Sequence, residues 1–240
     1  MKILICNDDG MHAAQLVPLI RACRKWGDVT VAVPQTENSA KSHSIQIQKS
    51  FEIRQVTLAP DVTIWAVDST PADCVRFAVA GLKMQFDLVI SGINRGYNLG
   101  QDIMYSGTMA AATEAANRGI NAVALSVSEA YYDRSVQHLD SILSFLYDNQ
   151  LWNYNRLYNI NIPKDPKGFR IARLSGASFN VEFIPMGDDH YFTGGSPVIS
   201  DGTHPELDID AEAAGYITVT PMTVDRTNLD VYRQLTALNL

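Results

Sequence analysis

Residues 1–10, MKILICNDDG, decide the fold. Ile3 to Cys6 is an almost continuous apolar run, the mark of a strand buried on both faces. Asn7, Asp8, Asp9 and Gly10 follow at once. Two adjacent carboxylates repel, and one pKa rises unless something cationic relieves the pair. A buried strand that ends in polar residues is what an open α/β sheet presents, because such sheets bind ligands at the carboxyl ends of their strands.

Working outward, His12 to Trp26 carries Leu16, Leu19, Ile20, Cys23 and Trp26 at helical spacing, with Gly27 as its stop. Val29 to Val33 reads as a second buried strand and Pro34 to Ser44 as a loop. Ile45, Ile47, Phe51 and Ile53 alternate with polar residues, which predicts a half-exposed antiparallel hairpin. Val62 to Val67 is a further strand. Thr70, Pro71 and Asp73 supply an N-cap, a first-turn proline and an acid three residues on, which opens a helix. Phe86 to Ile90 is a strand, and Ser91 to Tyr105 a glycine- and asparagine-rich loop. Thr108 to Arg118 is a helix with Gly119 as its C-cap. Ala122 to Val127 is a strand, Ser135 to Asn149 a helix, and Leu157 to Ile162 another strand. This alternation predicts an α/β fold with a doubly wound, mostly parallel sheet. After Pro163 the pattern changes to short strands (FRIARLS, VEFIPM, GYITVTP) between Gly-, Asp- and Pro-rich loops, then a terminal helix over Leu229 to Leu238. The expected organisation is a domain over residues 1–163 and a β-rich C-terminal appendage over 164–240, suited to exchange between subunits.

The 240 residues have a net charge of −7 and are 46% hydrophobic, so the chain can bury a real core. An acidic chain is a poor general binder of nucleic acid or anionic membrane, and neither partner is expected. A phosphorylated small substrate stays open, because a metal ion can supply local positive charge. Cys6, Cys23 and Cys74 form no CxxC pair and read as buried free thiols of a reducing compartment. No stretch approaches the roughly 18 apolar residues of a membrane span, and a cytoplasmic location is expected.

Three polar clusters fall at strand ends: Asn7 to Gly10; Asn38, Ser39, Ser42, His43 and Ser44; and Ser91 to Gly96, which Tyr105-Ser106-Gly107-Thr108 closes onto a helix. One aspartate of the first pair could merely cap the next helix. Two adjacent ones, with hydroxyl and amide oxygens nearby in the pattern, suit a hard cation such as Mg²⁺, Mn²⁺ or Ca²⁺ rather than zinc. Exposed N–H groups at Gly107 and Thr108 suit a phosphate. Arg95 either pairs with phosphate or sits at the surface, and His43 is either a substrate contact or an exposed loop residue. His12, His138, His190 and His204 show no HxH or HExxH spacing, and the P-loop, dinucleotide and hydrolase-elbow signatures are missing.

NDDG, NSAKSHS, STPADCV, SGINRGYNLG, YSGTMAAATEA and GYITVTP occur in an order that resembles the survival protein E (SurE) family, from about residue 2 to residue 221. The resemblance implies a Rossmann-like domain with a C-terminal arm that builds homodimers or homotetramers. It also implies a metal-dependent 5′-nucleotidase, a phosphatase of nucleoside monophosphates. One divalent ion per subunit, Mg²⁺ or Mn²⁺, with Ca²⁺ as a crystal substitute, would lie on Asp8, Asp9, Ser39 and Asn94. The phosphate-side loop falls on Gly96, Asn98, Ser106, Gly107 and Thr108, beside His43 and Arg95. Asp9 takes a second role, orienting an attacking water or attacking phosphorus itself. The base, the 5′ or 3′ position and activity on short polyphosphate are not written in these residues. Two positions depart from the family pattern. Ala14-Gln15 replaces Pro-Gly, and Ala40 replaces a glycine, which costs energy if that position needs a positive φ.

Two rival readings exist. A receiver-like signalling module also pairs acids after its first strand, and Asp68 would accept its phosphoryl group. About 60 residues separate Asp68 from the acid pair, too many for short connections, and no lysine follows AVALSV. The other rival is a non-catalytic nucleotide sensor.

Overall fold

The computed structural model describes residues 1–197, 200 and 202–238; five positions of the 164–240 segment lie outside the described residues. The opening run forms β1 (Lys2–Cys6). Ile3 and Ile5 pack on one face of it and Leu4 and Cys6 on the other, all fully buried. Burial on both faces requires helices above and below. α1 (Leu16–Cys23) covers the first face with Leu16, Leu19, Ile20 and Cys23. It is shorter than the His12–Trp26 span read from the pattern. Residues 10–16 instead form turns, with Ala13 N–H bonded to Gly10 and Leu16 N–H to Ala13.

Parallel strands flank β1: β2 (Asp28–Pro34) on one side and, after a hairpin, β5 (Leu88–Arg95) on the other. The hairpin is β3 (Ile53–Ala59) against β4 (Val62–Val67). The sequence alternation placed its first arm at Ile45, but Ile45 and Ile47 are exposed and outside any strand. Their segment is held irregular because Gln46 N–H donates to Asp73 and the Thr70 hydroxyl to the Ser44 carbonyl. α2 (Pro71–Arg76) starts as its capping residues predict, with Asp73 N–H donating to Thr70 Oγ1 at 3.2 Å. β5 runs past Ser91, where a loop was expected, because Asn94 and Arg95 resume pairing after an irregularity. The loop proper is residues 96–106, ending in a 3₁₀ turn (Gly100–Tyr105).

α3 (Gly107–Asn117) and β6 (Asn121–Val127) follow, with Gly119 at φ +79 after the helix end. The next helix is split. 3₁₀ turns occupy Glu129–His138, and only α4 (Leu139–Asp148) is α-helical. β7 (Leu157–Ile162) matches its predicted limits. β8 (Phe169–Ile171), β9 (Asn180–Gly187), β10 (His190–Ser196), α5 (Asp208–Ala213), β11 (Ile217–Pro221) and α6 (Leu229–Thr236) complete the chain.

The fold is α/β. The nine-stranded sheet has the order β3-β4-β2-β1-β5-β6-β7-β11-β8, with β4 to β7 parallel. β11 runs antiparallel to β7, and β8 lies parallel to β11. The change of pattern at Pro163 therefore does not mark the sheet edge; among the described residues only the β9–β10 hairpin forms a separate sheet. Chain order runs outward from β1 in one direction and from β5 in the other, so a crevice opens between their carboxyl ends. No described helix is long and apolar enough to cross a membrane.

The loop after β2 carries a strained residue. Ala40 sits at φ +56, where glycine is at no disadvantage. A non-glycine residue there costs roughly 1–2 kcal/mol. Ala40→Gly should raise stability by about 1 kcal/mol after glycine's greater unfolded-chain entropy offsets part of the gain, read as a higher urea midpoint with an unchanged m-value.

Candidate active site at the β1/β5 crevice

Asn7 shapes the turn after β1. Its Oδ1 accepts from Gly10 N–H at 3.2 Å and its Nδ2 donates to the Gly10 carbonyl at 3.0 Å. Gly10 lies at φ +86, with the Thr36 backbone so close that a Cβ would stand 2.8 Å from it. This turn sends Asp8 inward and Asp9 toward the crevice.

Asp8 is 4% exposed. Burial raises its pKa, and hydrogen bonds from Thr108 partly counter that. Thr108, fully buried at the start of α3, gives Asp8 both its hydroxyl and its backbone N–H. A Cβ on Gly107 would lie 2.7 Å from Asp8 Cβ, so the helix start can approach the carboxylate only with glycine there. Asp9 has its pKa pushed up to about 6, by burial first and by the Asp8 charge second. Its Oδ2 accepts from Arg95 N–H at 3.3 Å, and it also accepts from the Tyr132 hydroxyl. Tyr132, whose pKa is pushed up to about 12, also takes a backbone N–H from Gln15.

Neither Asp8 nor Asp9 has a salt bridge among the described residues. The nearest guanidinium, Arg95, is paired with Glu129 at 2.6 Å. The loop after β2 adds a further negative charge, Glu37, which raises both aspartate pKa values. That loop is tied to β1 by Asn38 N–H on the Asp8 carbonyl at 2.8 Å. Ser39 donates its hydroxyl to Glu37 at 2.6 Å, so its oxygen lone pairs remain for another partner. Asn94 donates Nδ2 to the Gly96 carbonyl at 2.8 Å, which leaves its Oδ1 as an acceptor. Two carboxylates that have no salt bridge among the described residues, with the neutral oxygens of Ser39 and Asn94, make a donor set that fits a hard divalent cation; His12 and Arg95 line the same cleft as Asp9. No group of three or more His, Cys, Asp or Glu among the described residues is placed to hold a metal, so this mixed set is the candidate.

The expected phosphate-side residues separate on inspection. Asp9, Ser39 and Arg95 line one cleft of about 610 Å³, together with Glu37, Glu129 and Tyr132. Ser106 caps α3, its Oγ accepting from Met109 N–H at 3.1 Å. Gly96 lies in the same loop, its N–H bonded to Val127. His43 is held beside the helix start by Ser42 N–H on the Tyr105 carbonyl, and its Nε2 lies 3.0 Å from Glu114. The Glu114 pKa is lowered, first by the His43 hydrogen bond and then by Arg118, against the opposing effect of burial. Two residues do not face the crevice as expected. Thr108 is turned to Asp8, as above. Asn98 is buried, donating Nδ2 to Ser126 and taking Asn159 and Asn161 on its carbonyl, so it anchors the loop from inside. Asp68 follows β4, with β2 between it and β1, and is exposed; the receiver constellation is not assembled.

Glu37, Tyr132, Glu129 and Glu114 were not singled out from sequence. Tyr132 and Glu114 lie more than 70 residues from the groups they touch, and no local spacing signals such a contact.

The sequence model of the family described as Survival protein SurE matches residues 3–181. The chain belongs to the SurE family. A 5′-nucleotidase SurE of Mannheimia succiniciproducens is 36% identical over 248 residues, 99% of this chain and 97% of that protein. A 5′-nucleotidase SurE of Gemmatimonas aurantiaca is 39% identical over 246 residues, 96% of each. The crystal structure of the SurE protein from Aquifex aeolicus matches over the full length of both chains with a TM-score of 0.80 at 27% identity.

The raised Asp9 pKa carries a pH consequence for this SurE chain. In chelator, the folded state holds a proton up to about pH 6 that the unfolded state loses near its ordinary value of 3.8. The Asp9 contribution to stability should therefore fall as pH rises from 4 to 7 in proportion to its proton difference. Asp9→Asn should flatten that fall and raise the Tm at pH 7 by a few degrees in thermal melts; a steeper fall in the variant would contradict the assignment.

Proposed function

We propose that this SurE chain hydrolyses nucleoside 5′-monophosphates to nucleoside and phosphate, using one Mg²⁺ or Mn²⁺ per subunit. The phosphoric monoester hydrolase class follows from relatives named 5′-nucleotidases that align over nearly the whole chain. The metal requirement rests on one observation: Asp8 and Asp9 stand at the β1/β5 crevice with no salt bridge among the described residues, and Arg95 offsets the raised Asp9 pKa only in part.

Asp8, Asp9, Ser39 and Asn94 would hold the ion. Bound there, it supplies positive charge to the phosphoryl oxygens as the ester bond breaks. Thr108 and Gly107 act on the chain itself, fixing Asp8 and bringing the start of α3 against it. Ser106, Gly107 and Gly96 line the anion side, where helix N–H groups favour negative charge. Arg95 and His43 contact the substrate's phosphate, and Asn98 holds the loop that carries Gly96. Asp9, fixed by Arg95 N–H and the Tyr132 hydroxyl, accepts a proton from the water that attacks phosphorus.

Phosphate release from AMP and GMP should be lost in chelator and restored by Mn²⁺. Asp9→Asn should lower kcat by about 100-fold or more. Full turnover in chelated enzyme would overturn the metal mechanism.

We also propose that the C-terminal arm joins two or four chains. Phe183, Met186, Tyr191 and Phe192 of β9–β10 are each more than 60% exposed, and α6 buries no residue. An isolated two-stranded hairpin is marginal in water, and an apolar surface of this kind needs a cover. Continuity of the hairpin with the sheet-bearing chain favours a second copy as that cover. Light scattering should give two or four 26.5 kDa chains, falling to one in Phe183→Asp combined with Phe192→Asp. A monomeric parent protein would refute the arm's role.

A further inference from the structure

A second cavity, about 390 Å³, is not used by the chemistry above. Tyr97, Asp102, Ser175, Phe179, Ile209 and Glu212 line it, and among the described residues no lysine, arginine or histidine does. It is the wrong place for a phosphate. Its walls join aromatic and aliphatic surface to two carboxylates, as a pocket for an amphipathic ligand should.

Residues close along the chain line the two spaces. Arg95 and Glu129 pair on the crevice side. Two residues along the chain, Tyr97 faces the cavity, where it accepts from the Ser128 hydroxyl and donates its own to Glu212. A ligand with its phosphate at the crevice therefore has this cavity as the near neighbour for its other end.

The cavity is built rigidly. Asp208 is fully buried, and its carboxylate accepts from Gly100 N–H and Ser175 N–H, both at 2.8 Å. Gly100 packs so tightly that a Cβ would lie 2.5 Å from the Ala177 carbonyl. Asp102 takes Phe179 N–H at 2.7 Å, which sets a ring that is 41% exposed at the edge of the cavity. An exposed aromatic ring held by a hydrogen-bonded backbone is a stacking platform. Glu212 gives one acceptor to Tyr97 and has carboxylate lone pairs left over.

We infer that this cavity is the nucleobase subsite, with Phe179 as the stacking face and Glu212 as the acceptor for a base that offers adjacent N–H donors, guanine foremost. The inference rests on the nucleotidase reading for its substrate and deepens it. A site built to accept hydrogen bonds discriminates against an analogue that lacks the donor. Hypoxanthine lacks the exocyclic amine of guanine.

The full-length enzyme with Mn²⁺ should show kcat/KM for GMP about tenfold above that for IMP and further above base-free ribose 5-phosphate. Glu212→Gln should erase the GMP/IMP ratio, and Phe179→Ala should lower the GMP/ribose 5-phosphate ratio about tenfold, both through KM. Ratios equal to the parent's in both variants would overturn the subsite. Guanosine binding by calorimetry tests the cavity without turnover. Binding that is weakened in Phe179→Ala supports the subsite even if no phosphomonoester is cleaved, an outcome that would sink only the nucleotidase reading. No guanosine binding in the parent protein, together with equal GMP and ribose 5-phosphate turnover, would refute the subsite while leaving the phosphatase intact.

Discussion

Two carboxylates, side by side in the chain and both sheltered from water, dominate the electrostatics of this molecule. Asp8 is held inside by Thr108, and Asp9 reaches the crevice under Tyr132 and the Arg95 backbone. The guanidinium of Arg95, which acts on Asp9, is engaged with Glu129. Burying like charges without a partner is costly in any fold. The surrounding structure is arranged to keep that cost rather than relieve it: Gly107 lets a helix start press against Asp8, and Gly10 lets the backbone fold back on Thr36. The proposed cation site rests on this arrangement.

The scaffold explains how such a site is held. β1 is buried on both faces by two separate clusters, so the turn that follows it has no freedom to drift. The crevice between β1 and β5 then receives the loop after β2 and the start of α3. Asn98 and Asp208 do for the 96–106 loop what Asn7 does for the first turn: each is a buried polar side chain that satisfies backbone groups and so fixes irregular chain. Loops positioned in this way carry function on a rigid frame.

Much of this was legible locally. The runs at β1, β2, β4 and β7 are short and mostly apolar, and buried parallel strands leave that signature. Thr70-Pro71 and Ser106-Gly107 announce helix starts because capping is a short-range hydrogen-bonding problem. The failures have physical reasons too. Ile45 and Ile47 alternate like a strand, but Asp73 and Thr70 take the hydrogen-bonding groups of their segment. Residues 135–138 read as the start of the helix that holds α4, yet they close a run of 3₁₀ turns over 129–138 that carries Tyr132 toward Asp9. Thr108 looked like a phosphate donor because helix starts often are; its burial against Asp8 is a matter of packing between distant segments.

The sequence by itself determined the α/β class, the order of the strands along the chain, the acid pair at the end of β1 and the family resemblance, because each rests on spacing within a few residues or on motifs in a fixed order. Only the tertiary structure decided which oxygens remain free at Ser39 and Asn94, that Tyr132 and Glu37 belong beside Asp9, and that β8 and β11 extend the main sheet. It also revealed the acid-lined cavity behind Tyr97. Most of those facts depend on groups brought together from distant parts of the chain, where sequence spacing carries no distance information and packing alone sets the contact.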